Sequence, residues 1–110
     1  MRLEDQVCSL EPSRRLKELG VRQESLYAWW DDGLRPVLTH TEGYQGYRPE
    51  WKNAAFTVAE LGGLFVEYGK RFRVELTGGN YYCGDIADKR MADAMAKRLI
   101  KLLDPKAVTR

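Results

Sequence analysis

One histidine, one cysteine and one acid are the residues that could form a nucleophilic thiol site. Cys83 would supply the thiolate, His40 the base and Asp85 the group that orients the base. His40 is the single histidine of the chain, so one copy cannot supply two histidine ligands to a metal. The spacing of the three residues matches no nucleophilic motif, and the carboxylates form no evident acid–base pair. We therefore expect neither catalysis nor a cofactor or metal.

A glycine cluster and two cysteines also have structural interpretations. Gly78-Gly79-Asn80 lacks the Lys-Ser/Thr sequel of a phosphate-binding loop, and it suits a tight turn with positive φ. Cys8 and Cys83 lie far apart, which fits neither a metal cluster nor a secreted disulfide framework. The polar first residues predict no signal peptide, so the cytoplasm is the expected compartment.

The stretch from Thr39 to Asn53 is rich in aromatic residues and has neither helical nor strand periodicity. Such a long loop is often functional, and Tyr and Trp beside Arg are the residue types that anchor protein interfaces. We expect this loop, together with an edge strand near Pro36, to bind a protein partner. The candidate contact residues are Tyr44, Tyr47, Arg48 and Trp51.

A helix-turn-helix in residues 14–30 is the alternative interpretation. A helix, the Gly20 turn and a second helix would leave three side chains facing a DNA major groove. These candidate nucleic-acid contacts are Arg22, Gln23 and Tyr27. Acidic residues close to them would repel phosphates, and the aromatic residues before Asp32-Gly33 favour a strand. A β-hairpin is the preferred interpretation, and nucleic acid stays a less favoured partner.

The N-terminal half therefore predicts a helix followed by a hairpin. Ser9 to Gly20 reads as a short amphipathic helix, with Ser9 as its cap. The segments on either side of Asp32-Gly33 predict two strands joined by a two-residue turn. Pro36 cannot donate a hydrogen bond to a neighbouring strand, so the second strand should lie at a sheet edge.

The C-terminal half predicts helix, hairpin and helix. Thr57 and Glu60 stand at capping-box spacing, which starts a helix that ends near Gly69. Arg71 to Thr77 alternates as a half-buried strand, and a glycine turn leads into Tyr81 to Gly84. A last helix is expected from Asp88 to about Asp104. Its apolar stripe contains Met91, Ala92, Met95, Ala96, Leu99, Leu102 and Leu103, with Arg90, Asp93, Lys97 and Lys101 opposite.

These elements predict one α+β domain over residues 1–110, an antiparallel sheet of two hairpins with three helices packed on one face. The 110 residues are 44% hydrophobic and carry a formal net charge of only +2, which by itself indicates neither nucleic acid nor a membrane surface. From Lys89 onward the net charge is +5, with seven Lys or Arg against two acids. We interpret that face as solvated helix surface, supported by an Asp93–Lys97 pair.

Two stretches of the sequence resemble a family of small phage and prophage proteins. Residues 6–26, which begin Gln-Val-Cys-Ser-Leu-Glu, are similar to the start of these proteins, and Ala55 to Gly62 is similar to a later segment. The resemblance implies the cytoplasm of a bacterial host, but it brings no established activity and no catalytic residues. The combined expectation is a non-catalytic interaction protein. Self-association through an edge strand, giving a homodimer, is a further possibility.

Overall fold

The computed structural model describes residues 2–41 and 48–104. Four α-helices, one 3-10 turn and six strands occur in this part of the chain. In order they are α1 (Leu3–Gln6), α2 (Leu10–Glu18), β1 (Tyr27–Trp30), β2 (Val37–His40), the 3-10 turn (Pro49–Trp51), β3 (Lys52–Ala54), α3 (Val58–Glu67), β4 (Val74–Thr77), β5 (Asn80–Cys83), β6 (Ile86–Asp88) and α4 (Met91–Leu103). Over these residues no helix combines the length and the apolar character needed to cross a membrane.

The α+β class is confirmed, but the strands form two sheets where one was predicted. Both sheets are antiparallel and three-stranded, with the orders β2-β1-β3 and β4-β5-β6. Each predicted hairpin gains a third strand, β3 or β6, that the sequence does not indicate. Both added strands have three residues, too few for alternation to be visible.

The aromatic segment after α2 is extended, as the hairpin interpretation requires. Tyr27–Trp30 forms the central strand of the first sheet, between β2 and β3. The predicted two-residue turn is wrong, however. Trp30 pairs with Val37, so the connection contains all the residues 31–36. The side chains of Asp31 and Asp32 bond to the backbone of this longer loop and stabilise it.

The hydrophobic core lies around α4, which packs against α2, α3, β5 and β6, while α2 also contacts β3. The predicted stripe of α4 is confirmed, because Ala92, Met95, Ala96 and Leu99 are fully buried. The largest buried side chains around it are Phe56, Phe65, Leu16, Leu61 and Leu64.

Two local predictions about α3 and the second hairpin are confirmed. The Thr57 hydroxyl accepts a hydrogen bond from the Glu60 amide at 3.2 Å, and the Glu60 carboxylate accepts one from the Thr57 amide at 2.9 Å. Gly78 and Gly79, at φ +61° and +83°, form a two-residue turn between Thr77 and Asn80.

The predicted strand over residues 71–77 is shorter and less buried than expected. It begins only at Val74, and Leu76 is 63% exposed although it shares the inward face. Phe72 lies before the strand, where its ring packs at 4.8 Å from that of Phe65. The alternating pattern therefore identified the face of Val74, which packs on the core, but it did not show that Leu76 on the same face stays exposed.

Asp93 was expected on the exposed face of α4 and is in fact buried, with 5% of its surface exposed. Its Oδ1 accepts hydrogen bonds from the Ser9 amide at 2.6 Å and from the Ser9 hydroxyl at 3.0 Å. Ser9 therefore does not cap α2 with its own side chain. Lys97, the expected partner of Asp93, instead pairs with Asp88 at 2.5 Å.

The basic residues of α4 are paired with acids near β6. Besides Lys97, both Arg98 and Lys101 form ion pairs with Asp85. Asp88 also accepts a hydrogen bond from the amide of Arg90, just before the helix. These pairs support the interpretation of the charged surface as a solvated helix face.

We predict that Asp93→Asn lowers the free energy of unfolding by about 2 kcal/mol, because the two part-buried hydrogen bonds from Ser9 exchange a carboxylate acceptor for a weaker amide oxygen. Urea unfolding followed by circular dichroism measures this change. Asp85→Asn is the matched control, and it should alter stability little because Asp85 is exposed. Equal effects of the two substitutions would show that the Asp93–Ser9 link is not a major stabilising contact.

Candidate functional site

The predicted aromatic loop is only partly a loop. Thr39 belongs to β2 and Asn53 to β3, so both predicted boundaries are wrong. Tyr44 and Tyr47 lie outside the described residues. Arg48 and Trp51 are described, and the Arg48 guanidinium lies 5.7 Å from the centre of the Trp51 ring. Arg48 is also 3.8 Å from the Glu50 carboxylate, so the two candidate residues form a small local cluster.

The three candidate nucleic-acid residues do not lie on a helix. Arg22 forms ion pairs with Glu24 and Glu67. The Tyr27 ring packs at 4.7 Å from that of His40. The helix-turn-helix requires a second helix where the chain forms β1, so this structural requirement is not met. The reason is the density of aromatic residues, which favours a strand.

Gln23, the third of these residues, covers one edge of the first sheet. Its side-chain oxygen accepts a hydrogen bond from the Ala54 amide at 2.8 Å, and the Lys17 ammonium donates to the Lys52 carbonyl at 2.7 Å. The Ala55 amide donates to the Tyr27 carbonyl, and bonded pairs alternate along the ladder between β1 and β3. The backbone N–H and C=O groups of Lys52 and Ala54 therefore point away from β1. Side chains thus form hydrogen bonds with two of the outward backbone groups of β3, the Lys52 carbonyl and the Ala54 amide.

The opposite edge of the first sheet is β2, and two of its residues direct their backbone groups away from β1. The Thr41 amide donates to the Leu26 carbonyl at 3.0 Å, and bonded pairs alternate along an antiparallel ladder. Val37 and Thr39 therefore direct their backbone groups to β1, while Leu38 and His40 direct theirs outward. No hydrogen bond from elsewhere in residues 2–41 and 48–104 reaches these outward groups.

A groove of about 560 Å³ lies beside this open edge. Helix α1 forms one wall, and the strand residues and the loop before β2 form the rest. The lining residues are Leu3, Glu4, Trp29, Arg35, Pro36, Val37 and Leu38. We call this surface the β2 groove. A strand added along β2 would have somewhere to place its side chains, which is the usual source of specificity in strand addition.

The loop over residues 31–36 presents an exposed apolar side chain at the same end of the sheet. Leu34 is 89% exposed, although the loop around it is well fixed. Asp32 Oδ1 accepts hydrogen bonds from the amides of Leu34 and Arg35 at 2.9 and 3.2 Å, and these bonds lower the pKa of Asp32. Asp31 accepts from the Gly33 amide and is paired with Arg14.

The exposed Leu34 is a candidate contact residue that the sequence interpretation missed. A signal was available, because a single leucine stands between the Asp32-Gly33 pair and Arg35-Pro36. An apolar residue inside a turn sequence has no strand or helix face through which to reach the core.

The three residues considered for thiol chemistry lie in different parts of the fold. Cys83 is buried in the second sheet, His40 lies at the edge of the first, and Asp85 is engaged by Arg98 and Lys101. Burial raises the pKa of the Cys8 thiol to about 11, against the lowering effect of Ser13, whose Oγ is 3.1 Å from the sulfur. Burial also raises the pKa of Cys83. No cluster suited to a metal ion occurs within the described ranges.

Both cysteines should resist thiol reagents in the folded protein. Their side chains are inaccessible and their raised pKa values keep them protonated at neutral pH. Labelling with a chromogenic disulfide should be slow in buffer and complete in denaturant. Rapid labelling of either residue without denaturant would contradict the described packing.

Acid should release the loop around Leu34 only at low pH. The pKa of Asp32 is depressed below its ordinary value of 3.8, so its loop bonds persist above that value and are lost as the pH falls through the depressed pKa. The amide NMR signals of Leu34 and Arg35 report this transition. A midpoint at or above 3.8 would be inconsistent with the two hydrogen bonds, and Asp32→Ala should abolish the transition.

Comparison with models of protein families, with curated proteins and with solved structures yields no match to this chain.

Proposed function

We propose that this protein is a non-catalytic interaction protein that binds an extended segment of a protein partner along β2. The observation that supports the proposal is the asymmetry of the first sheet. Lys17 and Gln23 occupy outward groups of β3, whereas those of Leu38 and His40 on β2 have no partner in the described ranges. Open edges invite pairing with another chain, and proteins usually protect them.

The composition of β2 supports the same proposal. Its sequence, Val-Leu-Thr-His, contains no Lys, Arg, Asp or Glu. The edge strand β4 of the second sheet, by contrast, has the ion pair between Arg73 and Glu75, at 3.1 Å, where β4 begins. Charged residues are a common protection of sheet edges. Within the strands themselves, β4 contains the charged residue Glu75 and β2 contains none, although Arg35 and Pro36 stand directly before β2.

The energetics require more than backbone pairing. Leu38 and His40 offer two donors and two acceptors, and each hydrogen bond contributes about 0.5–1.5 kcal/mol net. Burial of a side chain such as that of Leu34 adds about 1.5–3 kcal/mol. We therefore include the β2 groove and Leu34 in the proposed site. Tyr44, Tyr47, Arg48 and Trp51 remain proposed contacts on the segment that follows β2.

The resemblance to phage and prophage proteins supports a further part of the proposal, that the partner is met in the cytoplasm of a bacterial host. A second copy of this chain could use the same edge. Two β2 strands would pair around a twofold axis at Thr39, with Leu38 opposite His40 of the other copy. Sedimentation at several concentrations distinguishes this homodimer from a heterologous complex.

A matched pair of substitutions tests the edge directly. His40→Pro removes an outward amide without breaking a bond to β1, whereas His40→Ala removes the same side chain and keeps the amide. Peptides selected by the wild-type protein from a random display library should bind His40→Pro about tenfold or more weakly than His40→Ala, a difference of about 1.4 kcal/mol. NMR spectra verify that both variants are folded.

A substitution outside β2 tests the side-chain part of the proposed site without changing the strand backbone. Leu34→Ser should weaken the selected peptides, while Leu76→Ser, at an exposed leucine of the other sheet, should not. Equal binding by His40→Pro and His40→Ala, or a selection that enriches no peptide, would refute binding along β2.

A further inference from the structure

A second groove, separate from the β2 groove, lies where the starts of α3 and α4 meet β5. Its volume is about 490 Å³, within the range of roughly 300–1,000 Å³ that small-molecule sites occupy. Residues from distant parts of the sequence line it: Thr57, Val58, Ala59, Tyr81, Lys89 and Met91. We call this the α3–α4 groove.

The charges in this groove favour an anion. Lys89 lines the groove and makes no ion pair with any residue in the described ranges. Arg90 also lines the groove, and its charge is balanced by Asp5, whose Oδ1 lies 3.4 Å from the Arg90 Nη2. A net positive charge of about one remains. A ligand with two negative charges would also lie close to the Asp5 carboxylate, so a single negative charge fits best.

The remaining lining combines apolar side chains with the polar side chains of Gln6, at the end of α1, and Thr57. Val58, Tyr81 and Met91 supply hydrocarbon and aromatic surface, and the Tyr81 hydroxyl makes no hydrogen bond to a residue that the structure describes. A few convergent polar groups in an otherwise apolar groove are typical of small-molecule sites. We propose that the α3–α4 groove binds a small monocarboxylate with an apolar tail, its carboxylate at Lys89 and its tail against Val58 and Met91.

The walls of the groove are held in place without a ligand. The capping box fixes the first turn of α3, and the Cys8 amide donates to the Phe56 carbonyl at 3.0 Å beside it. The Arg90 amide donates to Asp88, and the Arg90 guanidinium donates to the Glu4 carbonyl at 3.2 Å. Binding therefore requires little ordering of the protein, which reduces the entropic cost of association.

NMR titrations with hexanoate, 1-hexanol and inorganic phosphate test the proposal. Hexanoate should shift the amide signals of Val58, Ala59 and Met91 saturably, and it should bind more tightly than either of the other probes. 1-Hexanol measures binding by the apolar tail without the charge, and inorganic phosphate measures binding by charge without a tail.

Two charge reversals provide the matched comparison. Lys89→Glu should weaken hexanoate about tenfold, because the charge at the groove changes sign. Lys70→Glu makes the same change in net charge beyond the other end of α3, at a lysine that also has no ion pair in the described ranges, and it should change affinity less than about twofold. The proposal would be overturned if 1-hexanol bound as tightly as hexanoate, if the two reversals had equal effects, or if hexanoate caused no saturable shifts.

Discussion

The hydrogen bonds between Asp93 and Ser9 are the interaction on which the rest of the structure depends. A buried carboxylate in the first turn of α4 accepts both the amide and the hydroxyl of the residue that precedes α2, so the starts of two helices are joined. The adjacent Cys8 is bonded to two further elements. Its carbonyl accepts from the Trp29 indole at 3.0 Å, and its amide donates to Phe56. The N-terminal segment thereby connects the first sheet, α3 and α4.

The N-terminal segment borders both proposed binding surfaces. Helix α1 precedes Ser9 and forms a wall of the β2 groove, while Asp5, in the same helix, balances Arg90 at the α3–α4 groove. The hydrogen bonds of Ser9 to Asp93 hold one end of the chain segment that borders both proposed surfaces.

What could be predicted from the sequence was local. The capping box of Thr57 and Glu60 and the turn at Gly78 and Gly79 depend on neighbouring residues, and both predictions are confirmed. The buried role of Asp93 could not be predicted, because its partner lies 84 positions away and the charge alone favours an exposed face. The covered edge of β3 depends similarly on Gln23, 31 positions from Ala54. At the site, the sequence indicated an edge strand near Pro36 and carried a signal for the exposed Leu34 that the interpretation missed. It did not indicate which backbone groups of β2 point away from β1.

Hydrogen exchange of single amides in the free protein tests the central claim about the β2 edge most directly. The amide of Thr39 should exchange slowly because it points to β1, while the amides of Leu38 and His40 should exchange nearly as fast as in an unfolded chain. The Ala54 amide, held by Gln23, should be protected on the opposite edge. The measurement is made at a concentration where sedimentation finds a single copy, because pairing of two β2 strands would also protect these amides. Slow exchange at Leu38 and His40 in the single copy would show that another part of the molecule already covers the edge, and the account of binding along β2 would be wrong.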